Sequence, residues 1–222
     1  MKKFFTIDFN NEMSLVRAVI SVYIIGIIGF IVPYSHDLFL ALTPLNLAFS
    51  LFVLLWAVRK ELTIIHGLFF LIVYLLGYAI EVVGVNTGWP FGEYAYGDVL
   101  GIKLFDTPLF IGVNWLLLII SSLLIARHIL SNKWLVAIAG ATMMVIFDVA
   151  LEPFAIATKM WTWESASVPF ENYLSWWVIA FVMHLIVVNL KFPRVHKVAY
   201  AVFLAQIVFF LITNIRYYLI DY

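Results

Sequence analysis

Long apolar stretches restrict the fold of this chain more than any short motif does. Each is about 20 residues long, the length of α-helix that crosses the hydrocarbon core of a bilayer. They lie at about 14–32, 38–58, 63–85, 107–127, 133–157, 172–191 and 196–219. Hydrophobic residues make up 65% of the chain, against about 45–50% in an average soluble domain. The sequence therefore predicts an all-α, polytopic membrane protein with seven transmembrane helices in a lipid bilayer.

The length of 222 residues predicts a single transmembrane domain, 1–222. The start of the chain is basic but contains Asp8 and Glu12, and no small-residue cleavage site follows. We therefore expect the stretch from Leu15 onward to be a retained first helix and not a signal peptide. The absence of cysteine excludes thiolate metal sites, disulfides and a cysteine nucleophile. A formal net charge of zero argues against nucleic acid as a partner.

The distribution of Lys and Arg predicts the orientation, because cytoplasmic loops carry an excess of both residues. One end of the predicted bundle collects Lys2, Lys3, Arg17, Arg59, Lys60, Arg127, Lys133, Lys191, Arg194 and Lys197. The other end collects Lys103, Lys159 and Arg216. The N-terminus is therefore expected in the cytoplasm, and the long loops 86–106 and 158–171 on the outer side of the plasma membrane.

The segment Glu81–Gly101 places an acid at the end of a predicted helix and follows it with a loop rich in Gly, Trp, Phe and Tyr. A charged side chain inside a bilayer costs roughly 2.5–3.5 kcal/mol on insertion scales, so such residues usually face the bundle interior and carry function. Aromatic loops offer large contact area at little entropic cost, as the wall of an apolar ligand site requires. The alternative is that the acids of these loops form a solvated rim.

Asp148 and Glu152 are four residues apart and therefore share one face of a helix, about 6 Å apart along its axis. Two acids this close in a low dielectric do not easily both ionise, so we expect at least one to keep its proton and act as a donor. Glu81 lies at a similar depth on another helix. Glu81, Asp148 and Glu152 are therefore predicted to be the catalytic residues. The alternative is structural hydrogen bonding at helix ends, with Glu152 frayed into water beside Pro153.

Two segments of the chain resemble each other. Glu81 precedes Thr87 by six residues, and Glu152 precedes Thr158 by the same distance. Each unit reads as a helix, an acid near its outer end, a loop containing Trp, a proline and a second helix. This pattern indicates a parallel internal repeat, with units at about 63–127 and 133–191. The alternative is chance similarity in an aromatic-rich chain.

Aromatic residues near the acids are predicted to bind substrate. They are Trp89, Tyr94, Trp115, Trp161 and Trp163. Aromatic faces also stabilise a cation. The alternative for any one of them is an interfacial belt, where Trp and Tyr are common. The five histidines show no helical ligand spacing, so no metal site is expected.

The same residues resemble a known family, the multi-pass carotenoid hydratases. The resemblance covers roughly the third to the sixth predicted helix and rests on Glu81-x-x-Gly84, Thr87-Gly88, Phe91-Gly92-x-Tyr94-x-Tyr96, Leu100-Gly101, Pro108, Trp115 and Asp148-x-x-x-Glu152-Pro153. Members of that family add water across the terminal double bond of an acyclic carotenoid end group. The resemblance implies an acyclic or monocyclic carotenoid substrate and no cofactor.

The segment 168–173, Val-Pro-Phe-Glu-Asn-Tyr, is also similar to the Pro-x-Glu-Glu signature of the small membrane lycopene cyclases. This resemblance adds Glu171 and Asn172 to the predicted substrate-binding residues. Because Asn172 stands where a cyclase has its second Glu, the hydratase is favoured, with Asn172 orienting the water. A lycopene-type cyclase stays an alternative, as does a transporter or lipid-binding protein.

The implied mechanism starts with protonation of the terminal alkene by one of the three acids. A second, ionised carboxylate would stabilise the tertiary cation and accept a proton from the attacking water, and the product would be a tertiary alcohol. The apolar tail of the substrate would lie in the membrane while its end group reaches acids near the outer side. We also expect the pocket to open sideways toward lipid.

Overall fold

The computed structural model describes residues 7–165, 167–192 and 197–220, with side chains as far as Arg216. Within these ranges the chain forms eight α-helices and four short strands. The helices are α1 Glu12–Ile31, α2 His36–Ala41, α3 Thr43–Val58, α4 Ile64–Thr87, α5 Leu109–Ile129, α6 Lys133–Ala157, α7 Phe170–Val187 and α8 Lys197–Ile220. The strands are β1 Tyr94–Tyr96, β2 Lys103–Leu104, β3 Thr107–Pro108 and β4 Trp161–Trp163. Three of the basic residues that predict the orientation lie outside the described residues, namely Lys2, Lys3 and Arg194.

Six of the described helices are long and apolar enough to cross a membrane, and α2 with α3 forms a bent seventh. The prediction of an all-α polytopic membrane protein is confirmed. The second apolar stretch differs from the expectation of one continuous helix, because its two halves meet at Leu42 with a bend of 58°. Pro44 lies in the first turn of α3, where its missing N–H and fixed φ suit a new helix start.

Helix α5 lies at the centre of the bundle. Fifteen of its 21 residues are buried, and it packs against α3, α4, α6 and α8. A helix that is apolar on all sides is expected to be buried in this way. The hydroxyl of Ser122 is hydrogen-bonded to Nε2 of the buried His184 of α7, at a distance of 2.9 Å. Gly140 of α6 gives this pair its space, because a Cβ there would collide with the His184 ring.

Hydrogen bonds close the bundle at the end rich in basic residues. His66 Nε2 lies 3.0 Å from the carbonyl of Lys191, and Arg127 donates to the carbonyl of Leu190. The N–H of Lys197 donates to Glu12 at 2.8 Å. The connections at this end are short, whereas the two long loops lie at the opposite end of the helices.

The two long loops are joined by an antiparallel pair of strands, β1 and β4. Tyr94 lies opposite Trp163, and Tyr96 lies opposite Trp161. Because side chains alternate along a strand, these four rings share one face of the small sheet. The N–H of Gly97 donates to the carbonyl of Met160 at 2.8 Å and extends the pairing. The sequence predicted a loop wall here, and alternating aromatic residues, which favour strands, are the reason that it is a sheet.

Candidate active site

The three predicted acids lie together in the described structure. Glu81 of α4 is 2% exposed, and Asp148 and Glu152 of α6 are 2% and 3% exposed. They line one chamber of about 20 Å³, which is room for about one water molecule. The remaining lining residues are Phe91, Tyr94, Tyr96, Ile111, Asn114, Leu151, Trp161, Trp163, Asn172 and Trp176. The chamber is thus lined mainly by acids and aromatic rings.

Glu81 accepts three hydrogen bonds from aromatic side chains. The hydroxyls of Tyr94 and Tyr96 donate to Oε2 at 2.6 and 2.8 Å, and the indole N–H of Trp115 donates to Oε1 at 2.9 Å. Burial, reinforced by the neighbouring Glu81 carboxyl, raises the pKa of Tyr94 and of Tyr96 above the ordinary value of 10.0. Both hydroxyls therefore stay protonated at neutral pH and can keep donating.

Glu152 and Asp148 accept fewer hydrogen bonds than Glu81. The indole N–H groups of Trp161 and Trp163 both donate to Glu152 Oε2 at 3.1 Å. The amide of Asn172 donates to Asp148 Oδ2 at 2.9 Å. Within the described residues, no hydrogen bond reaches Oε1 of Glu152 or Oδ1 of Asp148, and each acid therefore keeps one oxygen available to a ligand.

No basic side chain in the described ranges forms an ion pair with these acids. Lys103 of β2 instead binds Asp98 at 2.9 Å and the carbonyl of Tyr96 at 2.8 Å. A buried carboxylate without a cation depends on hydrogen bonds to carry its charge. The distribution of donors over the three acids therefore decides which of them can be ionised.

A second, larger cavity adjoins the acidic chamber. It has a volume of about 390 Å³ and is lined mostly by apolar side chains of α1, α3, α5, α6 and α8. Phe30, Phe154 and Phe209 form part of its wall, with ring centroids 5.1–5.4 Å apart. The two cavities share four lining residues, which are Ile111, Asn114, Leu151 and Trp161.

The rim of the larger cavity includes side chains that face outward from the bundle. Ile25 of α1 is 55% exposed, and Leu42 and Leu45 at the bend between α2 and α3 are 38% and 62% exposed. On a membrane helix, exposed apolar side chains of this kind face lipid. The mouth of the cavity therefore lies between α1 and the bend.

The two halves of the site occupy matching positions in their helices. Pro108 precedes α5 and Pro169 precedes α7, in each case as the N-cap. Trp115 is the seventh residue of α5 and Trp176 the seventh of α7. Glu81 takes two donors from β1, and Glu152 takes two from β4. The internal repeat stays a prediction, and these correspondences support it.

Most of the predicted site residues meet in the structure, but two do not. Tyr94, Trp161, Trp163 and Asn172 line the chamber, and Trp115 contacts Glu81 from behind it. Trp89 is 67% exposed and lines neither cavity. Glu171 is likewise exposed and lines neither cavity.

The predicted site residues do not include six residues that line the chamber, which are Phe91, Tyr96, Ile111, Asn114, Leu151 and Trp176. The sequence offers Asn114 only as a polar group able to orient water or a carboxyl, and Phe91 and Tyr96 only as part of the family resemblance. Phe91 and Trp176 form part of its aromatic wall, Tyr96 binds Glu81, and Asn114 borders both cavities. The i, i+2 spacing of Tyr94 and Tyr96 was a usable signal, because it places both side chains on one face of a strand. The contributions of α1, α3 and α8 carried no comparable signal.

Fold and site together define a multi-pass membrane protein with a buried acidic chamber at the head of an apolar cavity. The family described as carotenoid biosynthesis protein matches residues 42–220. The chain therefore belongs to this family of carotenoid biosynthesis proteins.

One curated relative is the bisanhydrobacterioruberin hydratase of Haloarcula japonica. It is 34% identical over 155 residues, which correspond to 61% of this chain and 53% of the relative. The chain thus spans about half the length of this relative. No solved protein structure matches the chain.

Proposed function

We propose that this protein is a carotenoid hydratase that adds water to the terminal double bond of an acyclic carotenoid end group. The observation that carries the proposal is the grouping of three buried carboxyls and aromatic rings beside an apolar cavity. Membership of a carotenoid biosynthesis family and the hydratase named among its relatives support the same conclusion. The reaction needs an acid, a cation-tolerant surface and a water molecule.

Glu81 is the ionised carboxylate in this proposal. Its three hydrogen-bond donors spread the negative charge over both oxygens, and hydrogen bonds to the charged form favour that form. Asp148 accepts one hydrogen bond and keeps one oxygen free. Asp148 or Glu152, four residues apart on α6, is therefore the proton donor, since both cannot easily be charged at this separation.

The proton transfer proceeds with balanced charge. The neutral acid gives its proton to the less substituted carbon of the terminal alkene, whose π electrons form the new C–H bond. The resulting tertiary cation lies among indole and phenol rings, with the Glu81 carboxylate as counter-charge. The oxygen of water attacks the cation, and the proton that it releases returns to the carboxylate that donated the first. The net change is the addition of one water molecule.

The 390 Å³ cavity holds the end group and the adjoining part of the polyene. Pockets of this size enclose much of a small ligand, but a full carotenoid is longer. The remainder of the chain leaves through the mouth at Ile25, Leu42 and Leu45 into lipid. Only the end group then has to reach the acids, and the substrate need not leave the membrane.

The site faces the outer side of the plasma membrane in this proposal. The support is the excess of Lys and Arg at the opposite end of the helices. Because the chain has no cysteine, single-cysteine variants give a direct test. Ser165→Cys, in the loop near the site, should react with an impermeant maleimide in intact cells, and Ser131→Cys, between α5 and α6, should not. The opposite labelling would reverse the orientation.

Expression in cells that accumulate lycopene tests the activity, with products analysed by mass and chromatography. The expected product is heavier than lycopene by one or two molecules of water. A product of unchanged mass with a cyclised end group would establish a cyclase instead, and unchanged pigment would exclude both activities on lycopene.

Variants of the three acids test their roles in the same cells. Asp148→Asn, Glu152→Gln and Glu81→Gln should each lower product formation. Glu61→Gln, at an exposed acid of the opposite end, is the matched control.

A further inference from the structure

The wall between the acidic chamber and the apolar cavity contains one unpaired polar side chain. Of its four residues, Ile111 and Leu151 are apolar, and the indole N–H of Trp161 is engaged by Glu152. The amide of Asn114 has no hydrogen-bond partner among the residues that the structure describes. It is nevertheless buried, at 6% exposure.

Asn114 belongs to α5, the central and largely buried helix of the bundle. It lies one turn after Ile111 and directly before Trp115, whose ring is fully buried. Its amide offers one acceptor oxygen and two donor hydrogens. Buried amides without a protein partner are generally satisfied by ordered water. The position of Asn114 in the lining of both cavities places such a water where the two cavities meet.

Asn172 is less suited to this task. Its amide nitrogen already donates to Asp148 Oδ2, so it orients an acid. The amide of Asn114 has no such hydrogen bond among the described residues. Of the two amides that line the chamber, one is hydrogen-bonded to a carboxyl and the other is open to a ligand.

We propose that Asn114 is the positioning residue for the attacking water. This inference rests on the proposed hydratase function. The amide oxygen of Asn114 accepts one O–H of the water, and the water's lone pair then points at the tertiary cation. Without this contact the cation is still formed, but it loses a proton to the carboxylate and becomes an alkene again. Asn114 thus favours capture of the cation by water over loss of a proton that regenerates the alkene.

Deuterium exchange distinguishes this role from a purely structural one. In D₂O the acid delivers a deuteron to the alkene carbon, and a cation that then loses a proton returns an alkene that retains deuterium. Hydration and exchange share the protonation step and differ only in the capture of the cation. Their ratio therefore reports the positioning of water, independently of the amount of folded enzyme.

Membranes containing the full chain are incubated with lycopene in D₂O, and both hydrate and deuterium in recovered lycopene are measured. Asn114→Leu, a near-isosteric change, should lower the ratio of hydrate to exchange by about tenfold, the effect of one lost hydrogen bond to a reacting group. Asn114→Ser, which can hold water, should give an intermediate ratio. Should Asn114→Leu fail to accumulate, a ratio for Asn114→Ser below that of the wild type supports the proposal.

One result overturns the proposal while leaving the hydratase intact. It is a ratio of hydrate to exchange in both Asn114 variants equal to that of the wild type, whether the two products persist or fall together. A wild type that shows neither hydrate nor exchange removes the hydratase function on lycopene, and the role of Asn114 with it.

Discussion

The indole of Trp115 lies stacked on the indole of Trp176, with ring centroids 4.0 Å apart and planes inclined by 16°. One ring belongs to α5 and the other to α7, each at the seventh position of its helix. Trp115 also donates to Glu81, and Trp176 lines the chamber. The stack therefore couples the two halves of the site at their border.

Replacing Trp115 by Phe should keep the ring stack and remove the hydrogen bond to Glu81. A hydrogen bond to a charged group contributes about 1.5–3 kcal/mol, so turnover should fall by roughly ten- to hundredfold. The melting temperature in detergent should also fall, because the smaller ring leaves a cavity at a fully buried position, so turnover is compared per amount of folded protein. Trp134→Phe, at a Trp that is 58% exposed, is the control. Full activity of Trp115→Phe would show that this donor does not support the Glu81 carboxylate.

The paired hydroxyls of Tyr94 and Tyr96 should remain protonated where ordinary tyrosines ionise. Their raised pKa means that the neutral form persists above pH 10.0, the ordinary value. In an ultraviolet titration, the double variant Tyr94→Phe, Tyr96→Phe should therefore release as many tyrosinates near pH 10 as the wild type. A loss of one or two from that count in the variant would contradict the burial of the pair. Activity should fall in either single variant, because each removes one donor from Glu81.

Gly84 provides the space for the loop to close onto Glu81. A Cβ at this position would lie 2.6 Å from the Phe91 ring and 2.8 Å from the Tyr94 hydroxyl. Gly84→Ala should therefore destabilise the fold by about 1–3 kcal/mol and lower activity by displacing Tyr94. Gly67→Ala on the same helix has no neighbour within 4 Å and should be neutral or slightly stabilising. Equal melting temperatures for the two variants would refute this view of the packing.

The mouth of the apolar cavity should control entry of long substrates. Leu45→Trp places a bulky ring at the rim and should raise the apparent KM for a long polyene while changing kcat less. Leu38→Trp is the matched control, because Leu38 is 60% exposed on the neighbouring helix α2 and does not line the cavity. If both variants behave alike, substrate enters elsewhere.

Sequence reasoning identified the acids because their context is local. Glu81, Asp148 and Glu152 interrupt apolar helices. A carboxyl inside a bilayer costs free energy, so it is easily recognised within an apolar stretch of sequence. The aromatic donors followed from their proximity to these acids in the chain. Trp89 fits the same rule but is exposed, since loop geometry and not sequence distance decides which rings turn inward.

The cavity could not be predicted in the same way. Phe30, Phe154 and Phe209 come from three helices far apart in sequence. In the sequence, each looks like any other apolar residue that faces lipid or the core. Pro44 inside the second stretch was a usable signal for the bend at Leu42, because proline disfavours helix interiors and suits a helix start. Asn114 is recognisable in the sequence only as one of several polar groups able to orient water, because its position at the border of two cavities depends on the packing of distant helices.

The acids and most of the wall of the adjoining cavity belong to different helices, although α6 contributes to both, and this separates two properties of the proposed enzyme. The carboxyls stand on α4 and α6, whereas most of the wall that a polyene would touch comes from α1, α3 and α8. Exchanging the wall helices for those of another family member would alter which pigment is accepted and leave the proton chemistry in place. Substrate range and reaction type can therefore diverge independently within this scaffold, without a compensating change at the acids.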